Sequence, residues 1–191
     1  MGNYRRVKPA GKIVTKTVRR RTQLKLFGAK IRIPGNIASK ARFLGDPNAL
    51  ELANYKRFLA SAPAGVQECL ARPLRIRKFR GRTVLAAERA MDFDGKTSKS
   101  ISKNGKIESR LFWQKFRQLI DFIVEKNIPF NDISPSNILV KRISETESIP
   151  VLEDFKRMRW FSMTPNSWIP SQRNRRLAER AGLIEQKYRA V

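Results

Sequence analysis

Residues 129–141, PFNDISPSNILVK, decide how the second half of this chain folds. Asp132 stands near the start of this polar segment, Asn137 follows five residues later, and an apolar run closes it. The apolar run predicts a buried strand, so the polar residues form the loop that enters it. Two interpretations are open: Asp132 and Asn137 cap local backbone in an ordinary turn, or their fixed spacing carries chemistry.

The segments on either side predict the surroundings of this loop. Upstream, apolar residues between Glu108 and Asn127 recur at helical spacing and predict an amphipathic helix that leads into the loop. Downstream, NILVKRI and IPVLEDF predict two strands joined by a turn at SETES. A basic helix is predicted near residues 171–187.

The first half has a different pattern. Alternating apolar and basic residues in GKIVTKTV and LKLFGAKIRIP predict strands within residues 1–34. Asp46 is a suitable N-cap and Pro47 a suitable first residue for the helix that follows. ARPLRIRKFRGRTVLAAERAM then predicts two antiparallel strands joined across Gly81.

Together these elements predict an α+β fold with two lobes. Residues 1–91 form a reduced, very basic N-terminal lobe, residues 92–107 a Gly- and Ser-bearing connector, and residues 108–191 a C-terminal lobe with the polar loop and a basic tail. Hydrophobic residues make up 41% of the chain, which is enough for a core.

Composition excludes several classes of site and of protein. The chain has no His and one Cys, Cys69, which excludes an internal disulfide, the usual zinc sites and Ser-His-Asp triads. No apolar stretch approaches the roughly 20 residues that span a bilayer, and no apolar run follows the basic N-terminal residues as in a secretory signal. We therefore expect a cytoplasmic protein.

The charge predicts a polyanionic partner. Lys and Arg number 41 against 16 Asp and Glu, the net charge is +25, and residues 1–45 contain no acid. Such an excess repels itself unless a polyanion neutralises it, and RNA or a ribonucleoprotein is favoured over DNA or anionic lipid. The alternative is a solvated basic surface that keeps the protein soluble. The candidate phosphate contacts are Arg19, Arg20, Arg21, Lys25, Arg173, Arg175 and Arg176.

Three polar residues have the order and spacing that phosphoryl transfer requires. The reaction needs a carboxylate that orients the acceptor and oxygen ligands that hold Mg²⁺ against the phosphates of ATP. In protein-kinase-like folds an Asp of the catalytic loop does the first, and an Asn five residues later with an Asp after the next hairpin does the second. Here Asp132, Asn137 and Asp154 fill these positions, and Asp154 follows Asn137 by 17 residues.

The second half also resembles a bacterial kinase-like family, the YrbL-type proteins of the PhoP regulatory network. The resemblance lies in MDFDGK (91–96), NILVKRISETESIP (137–150) and the Asp154 that follows, and it covers roughly residues 84–170. It implies a bilobal kinase-like fold. The DFDG sequence at 92–95 precedes the catalytic-type loop, so it is not the metal-binding Asp-Phe-Gly of a kinase.

The chain departs from the kinase pattern at several positions. Phe130-Asn131-Asp132 replaces His-Arg-Asp, a Ser stands at 134 where a Lys is usual, and no Gly follows Asp154-Phe155. No G-x-G-x-x-G precedes residue 35. For the lysine–glutamate pair that orients the nucleotide, Glu51 is the candidate acid and Lys30 the candidate base. Arg32 is an alternative to Lys30, although its planar guanidinium differs from an ammonium.

Two hypotheses follow. The first is an atypical small kinase that binds ATP and Mg²⁺, with Asp132 orienting the hydroxyl acceptor, Asn137 and Asp154 holding metal, and Lys30 with Glu51 orienting the nucleotide. The second is a non-catalytic kinase-like module that binds RNA, a ribonucleoprotein or another polyanion through its basic surface. The missing Gly-rich loop favours the second, and the complete set of three polar residues favours the first.

Overall fold

The computed structural model describes residues 6–10, 13–17, 21–26, 29–34, 46–79, 82–130, 133–155, 158 and 170–190, with only the backbone for the strands before residue 35. The fold is mixed α+β, with small antiparallel sheets. The chain divides into two compact units: unit 1 comprises Met1–Tyr55 and Arg72–Arg89, and unit 2 comprises Lys56–Ala71 and Ala90–Val191.

Unit 1 contains two antiparallel sheets. Four strands form the first in the order β1-β2-β6-β5, namely β1 (Arg6–Ala10), β2 (Ile13–Thr17), β5 (Pro73–Phe79) and β6 (Arg82–Glu88). In the second, β3 (Arg21–Leu26) pairs with β4 (Ala29–Pro34). The predicted antiparallel pair around Gly81 is confirmed by β5 and β6, in which Ile76 lies opposite Leu85. Residues 84–87 are buried, so β6 carries much of the core of this unit.

Helix α1 (Pro47–Ser61) begins where the sequence predicts. The side chain of Asp46 caps it, because Oδ1 of Asp46 accepts a hydrogen bond of 2.8 Å from the amide of Asn48. The helix buries polar residues in unit 1: Asn48, Glu51 and Asn54 are each 2% exposed or less. Their three-residue spacing places them along one side of the helix. Asn48 is satisfied in part by donating from Nδ2 to the carbonyl of Thr83 at 2.9 Å.

Unit 2 combines a three-stranded antiparallel sheet with helices. Its elements are α2 (Ala64–Gln67), β7 (Lys99–Ser100), α3 (Ile101–Asn104), α4 (Arg110–Glu125), β8 (Ile138–Arg142), β9 (Ser148–Leu152) and α5 (Pro170–Tyr188). The sheet has the order β7-β8-β9. The predicted amphipathic helix, hairpin and basic helix are confirmed by α4, β8–β9 and α5. Residues 92–107, predicted as a connector, contain β7 and α3, and their residues Ile101 and Ile107 are buried.

The core of unit 2 is built on α4. Its buried face carries the residues Phe112, Trp113, Phe116, Leu119, Ile120, Phe122 and Ile123. Ser109 caps the helix by accepting from the amide of Phe112, and its Oγ also accepts from the amide of Ser148 at 3.0 Å. The same hydroxyl therefore starts the helix and fixes the beginning of β9 against it.

Within the described parts of the chain, none of the helices combines the length and the apolarity that crossing a membrane would need.

We predict that the aromatic cluster on α4 carries much of the stability of unit 2. Phe116 is 1% exposed, and its ring stacks on that of Phe112 with centroids 6.3 Å apart. Phe116→Ala should lower the free energy of unfolding by about 3–5 kcal/mol, because it removes buried apolar area and leaves a cavity. Urea denaturation followed by circular dichroism measures this. The control is Gln114→Ala, since Gln114 is exposed on the same helix. If Phe116→Ala lowers the free energy of unfolding no more than Gln114→Ala does, the aromatic cluster does not carry much of the stability of unit 2.

Candidate functional site

The β8–β9 hairpin brings two of the predicted site residues together. Ile138 lies opposite Leu152 in the last pair of the ladder, and the amide of Glu153 donates to the carbonyl of Asn137 at 2.9 Å. The chain therefore enters β8 from Asn137 at the same end of the hairpin at which it leaves β9 toward Asp154. Residues 17 positions apart in sequence are thus placed at one end of one hairpin.

The loop before β8 holds Asn137 in a defined turn. The amide of Asn137 donates to the carbonyl of Ser134 at 3.0 Å, and the hydroxyl of Ser136 lies 3.4 Å from Oδ1 of Asn137. The hydroxyls of Ser134 and Ser136 are 2.9 Å apart. Ile133 is 4% exposed and anchors the loop in the core. Asp132, the predicted catalytic residue, lies outside the described residues.

Asp154 has a strained backbone. Its φ angle is +71°, in the left-handed region, which costs a residue with a Cβ roughly 1–2 kcal/mol. Asp is one of the few residue types that tolerate this conformation, because its short polar side chain hydrogen-bonds locally. Strain of this kind persists only where the surrounding structure holds it, and it concentrates at functional sites.

Aromatic packing holds the segment after Asp154. Phe155 is 1% exposed, and the centroid of its ring lies 6.0 Å from that of Phe58 and 6.5 Å from that of Phe130. Phe58 in turn contacts Phe122 of α4, with centroids 5.6 Å apart. Phe130, which directly precedes the polar loop, packs edge-on against Phe155. Fixing Phe155 in the core fixes the direction in which the chain leaves Asp154.

The donor chemistry of this hairpin end suits a hard divalent cation. Asn137 supplies an amide oxygen and Asp154 a carboxylate, which are ligand types that Mg²⁺ prefers. Among the residues that the structure describes, no three His, Cys, Asp or Glu side chains form a metal-binding group. Cys69 adds no soft ligand, because it is fully buried and burial raises the pKa of its thiol to about 12.

The predicted nucleotide-orienting residues lie in unit 1. Glu51 is a buried carboxylate on α1. Lys30 and Arg32 lie on β4, where Lys30 is opposite Lys25 and Arg32 is opposite Gln23, in the separate two-stranded sheet. The side chains of this sheet lie outside the described part of the structure, so the pairing of Lys30 or Arg32 with Glu51 stays a prediction.

Two further polar residues of unit 1 lie beside Glu51 on α1 and were not predicted. Asn48 and Asn54 share the buried side of α1 with Glu51. The three-residue spacing of these polar side chains in the sequence is the signal that would have identified them.

The DFDG sequence has a structural role in unit 2. Asp92 accepts from the amide of Arg142 at 3.1 Å and from Nε of the same residue at 3.2 Å. Asp94 accepts from Nη2 of Arg142 and from the amide and Nζ of Lys96. The guanidinium of Arg142 also lies 5.1 Å from the centroid of the Phe93 ring. These contacts tie the turn to β8, so both carboxylates are engaged by cations of the protein.

The Asp94 contacts predict a specific pH dependence. The hydrogen bond from Lys96, with further bonds from Lys96 and Arg142, lowers the pKa of Asp94 from 3.8 to about 2. Ionised Asp94 therefore stabilises the fold above pH about 4, and that stabilisation is lost as the pH falls through about 2. Asp94→Asn should make stability depend less on pH between these values in urea denaturation. The control is Glu145→Gln, which removes an exposed carboxylate. Equal pH profiles for Asp94→Asn and the wild type would contradict the prediction.

The predicted polyanion contacts are distributed over both units. Arg19 and Arg20 lie outside the described residues, and Arg21 and Lys25 lie on β3, whose side chains are also outside them. On α5, Arg175 and Arg176 are exposed.

Arg173 has a different position from its neighbours on α5. It is half-buried, and its Nη2 donates to the carbonyl of Asn127 at 2.9 Å, just beyond the end of α4. Burial lowers the pKa of its guanidinium. Beside it, Nδ2 of Asn174 donates to the carbonyl of Val124 and to Oδ1 of Asn127. Both residues therefore attach α5 to the end of α4. Arg173 thus has a structural role in addition to its predicted role as a phosphate contact.

No protein-family model matches the chain, and a search of curated proteins finds no match either. The resemblance to the YrbL-type family therefore stays a prediction that rests on the sequence motifs.

Proposed function

We propose that this chain is an atypical small kinase-like protein that binds ATP with Mg²⁺ and transfers phosphate to a hydroxyl acceptor. The observation that carries the proposal is the placement of Asn137 and Asp154 at one end of the β8–β9 hairpin. The left-handed backbone of Asp154 supports it, because a strained residue held by a buried aromatic core is typical of a functional position.

In this proposal Asn137 and Asp154 hold the metal through oxygen. When bound, Mg²⁺ neutralises the charge on the phosphate oxygens and orients them. The carboxylate of Asp132 accepts a hydrogen bond from the acceptor hydroxyl and takes its proton as the new O–P bond forms and ADP leaves. Glu51, with Lys30 or Arg32, is proposed to orient the nucleotide.

The proposal includes the bilobal kinase-like fold and the relationship to the YrbL-type family. The division into a sheet-rich unit 1 and a helix-rich unit 2 supports it. So does the order of elements around the site, in which α4 precedes the loop and β8 and β9 follow it. Phe130 supports it as well, since it braces the segment that the His of a kinase loop would brace.

Calorimetric titration of the nuclease-treated protein with ATP and Mg²⁺ tests the metal site. The wild type should bind ATP in a Mg²⁺-dependent manner, and Asp154→Asn should weaken that binding at least about tenfold, because a charged metal ligand is lost. Asn also tolerates the left-handed backbone, so the fold should remain. The matched control is Asp94→Asn, which makes the same change at an aspartate engaged by Arg142 and Lys96, and it should bind like the wild type.

Asp132→Ala separates binding from chemistry. This variant should retain Mg²⁺-dependent ATP binding and lose turnover, because Asp132 is proposed to contact the acceptor rather than the metal. Absence of ATP binding by the wild type at millimolar nucleotide would contradict the kinase proposal, and so would equal binding by the wild type and Asp154→Asn.

A second candidate function is supported by charge: polyanion binding, with RNA or a ribonucleoprotein as the partner. The net charge of +25 is far larger than a folded chain of this size needs for solubility. Several described Arg residues, including Arg75, Arg77, Arg175 and Arg176, are exposed. Affinity for a ribo-oligonucleotide should fall steeply with salt, because bound phosphates release counterions. An affinity that does not change with salt would contradict this function.

A further inference from the structure

Helix α5 has one side fixed to the protein and one side in solvent. Leu177, Ala181 and Ile184 are buried, and Nε of Arg117 on α4 donates to Oε2 of Glu185 at 3.0 Å. With the Arg173 and Asn174 contacts at its start, the helix is attached along its length. Its outer side is therefore presented on a rigid element.

The solvent-exposed side carries a narrow stripe of three cations and one leucine. Arg176, Arg180, Leu183 and Lys187 are all exposed, and Leu183 is 64% exposed. Their spacings of four, three and four residues place them within about 60° of arc and along about 16 Å of the helix axis. We call these four residues the α5 stripe.

Both acids of α5 have cationic partners outside the stripe. Glu179 lies beside the stripe, but its Oε1 is 3.4 Å from Nε of Arg175, so it already has a cationic partner. Glu185 accepts from Arg117 and from Nη1 of Arg189.

We infer that the α5 stripe binds the backbone of single-stranded RNA. The inference rests on the polyanion-binding function proposed above and names its site and partner. Three aligned cations match a run of phosphates, since Lys and Arg contacts to phosphate provide most of the affinity of non-specific nucleic-acid binding. The stripe differs from the predicted cluster on α5, because it keeps only Arg176, leaves out Arg173 and Arg175, and adds Arg180 and Lys187.

Leu183 favours an unpaired strand over the other polyanions. Unpaired bases expose apolar faces, and a side chain such as Leu183, which lies between two phosphate-binding cations, can contact them. In a duplex these faces are stacked on one another inside the helix. The exposed amide of Gln186 beside Leu183 is a suitable partner for a ribose 2′-hydroxyl. A membrane-bound helix needs a broad apolar face in the lipid, but the apolar face of α5 is buried in the protein.

Fluorescence anisotropy with labelled oligouridine tests the inference. The stripe variant carries Arg176→Gln, Arg180→Gln and Lys187→Gln, and the matched control carries Lys99→Gln, Lys103→Gln and Arg110→Gln, three exposed cations elsewhere in unit 2. The stripe variant should bind about tenfold more weakly or worse at low salt. The slope of log K against log salt concentration should be less steep by about 2, because each lost phosphate contact reduces it by about 0.7 and three contacts are removed. The control should change affinity less than about threefold.

Leu183→Ser should weaken oligouridine binding without changing the salt slope, because it removes an apolar contact and no charge. Parallel arms use duplex DNA and vesicles containing an anionic phospholipid. Equal oligouridine affinities for the stripe variant and the control would overturn the α5 site while polyanion binding itself stands. Absence of oligouridine binding by the wild type would overturn the RNA assignment, and absence of binding in every arm would overturn polyanion binding as well. Loss of vesicle or duplex binding in the stripe variant, with oligouridine binding unchanged, would also overturn the RNA assignment.

Discussion

The hydrogen bond from the amide of Glu153 to the carbonyl of Asn137 is the constraint on which the candidate site depends. It extends the β8–β9 ladder by one residue, so the loop before β8 and the segment after β9 meet at one end of the hairpin. Asp154 follows at once, with φ of +71°. The ring of Phe155, packed between Phe58 and Phe130, holds the chain on the far side of that strained residue. Backbone pairing and aromatic packing thus fix the two predicted metal ligands without a Gly after Phe155.

Several carboxylates of unit 2 form ion pairs with cations of the same unit. Asp92 and Asp94 pair with Arg142, Glu68 pairs with Lys115, and Glu185 pairs with Arg117. With 41 basic residues against 16 acidic ones, such pairs leave a large excess of positive charge for an external anion. In the two proposed functions, Asp154 and the basic surface serve different ligands, a metal–nucleotide complex and a phosphate backbone, so the proposals are compatible in one protein.

Local patterns predicted much of unit 2 and the start of α1. The apolar spacing of α4, the hairpin strands and the Asp46 cap are all local signals, and the structure has each of them. The placement of Asn137 and Asp154 at one end of the hairpin was predictable from their spacing in the sequence. Apolar periodicity does not indicate that Asn48, Glu51 and Asn54 are buried, and the three-residue spacing of these polar residues is the only local signal of their shared side of α1. The β3–β4 pair forms a sheet separate from the larger one, and Arg173 lies against the end of α4. Both features depend on contacts between residues far apart in the sequence, so a local sequence window does not show them.

Paramagnetic broadening of amide NMR signals by Mn²⁺, titrated together with ATP, tests the proposed metal site at the end of the β8–β9 hairpin, because Mn²⁺ accepts the oxygen ligands that Mg²⁺ uses. The amides of Asn137, Glu153 and Asp154 should broaden first. The amides of Asp92 and Asp94, two carboxylates already engaged by Arg142 and Lys96, should broaden later or not at all. Broadening that begins at the 92–95 turn, or that is uniform along the chain, would contradict a metal site at the end of the β8–β9 hairpin.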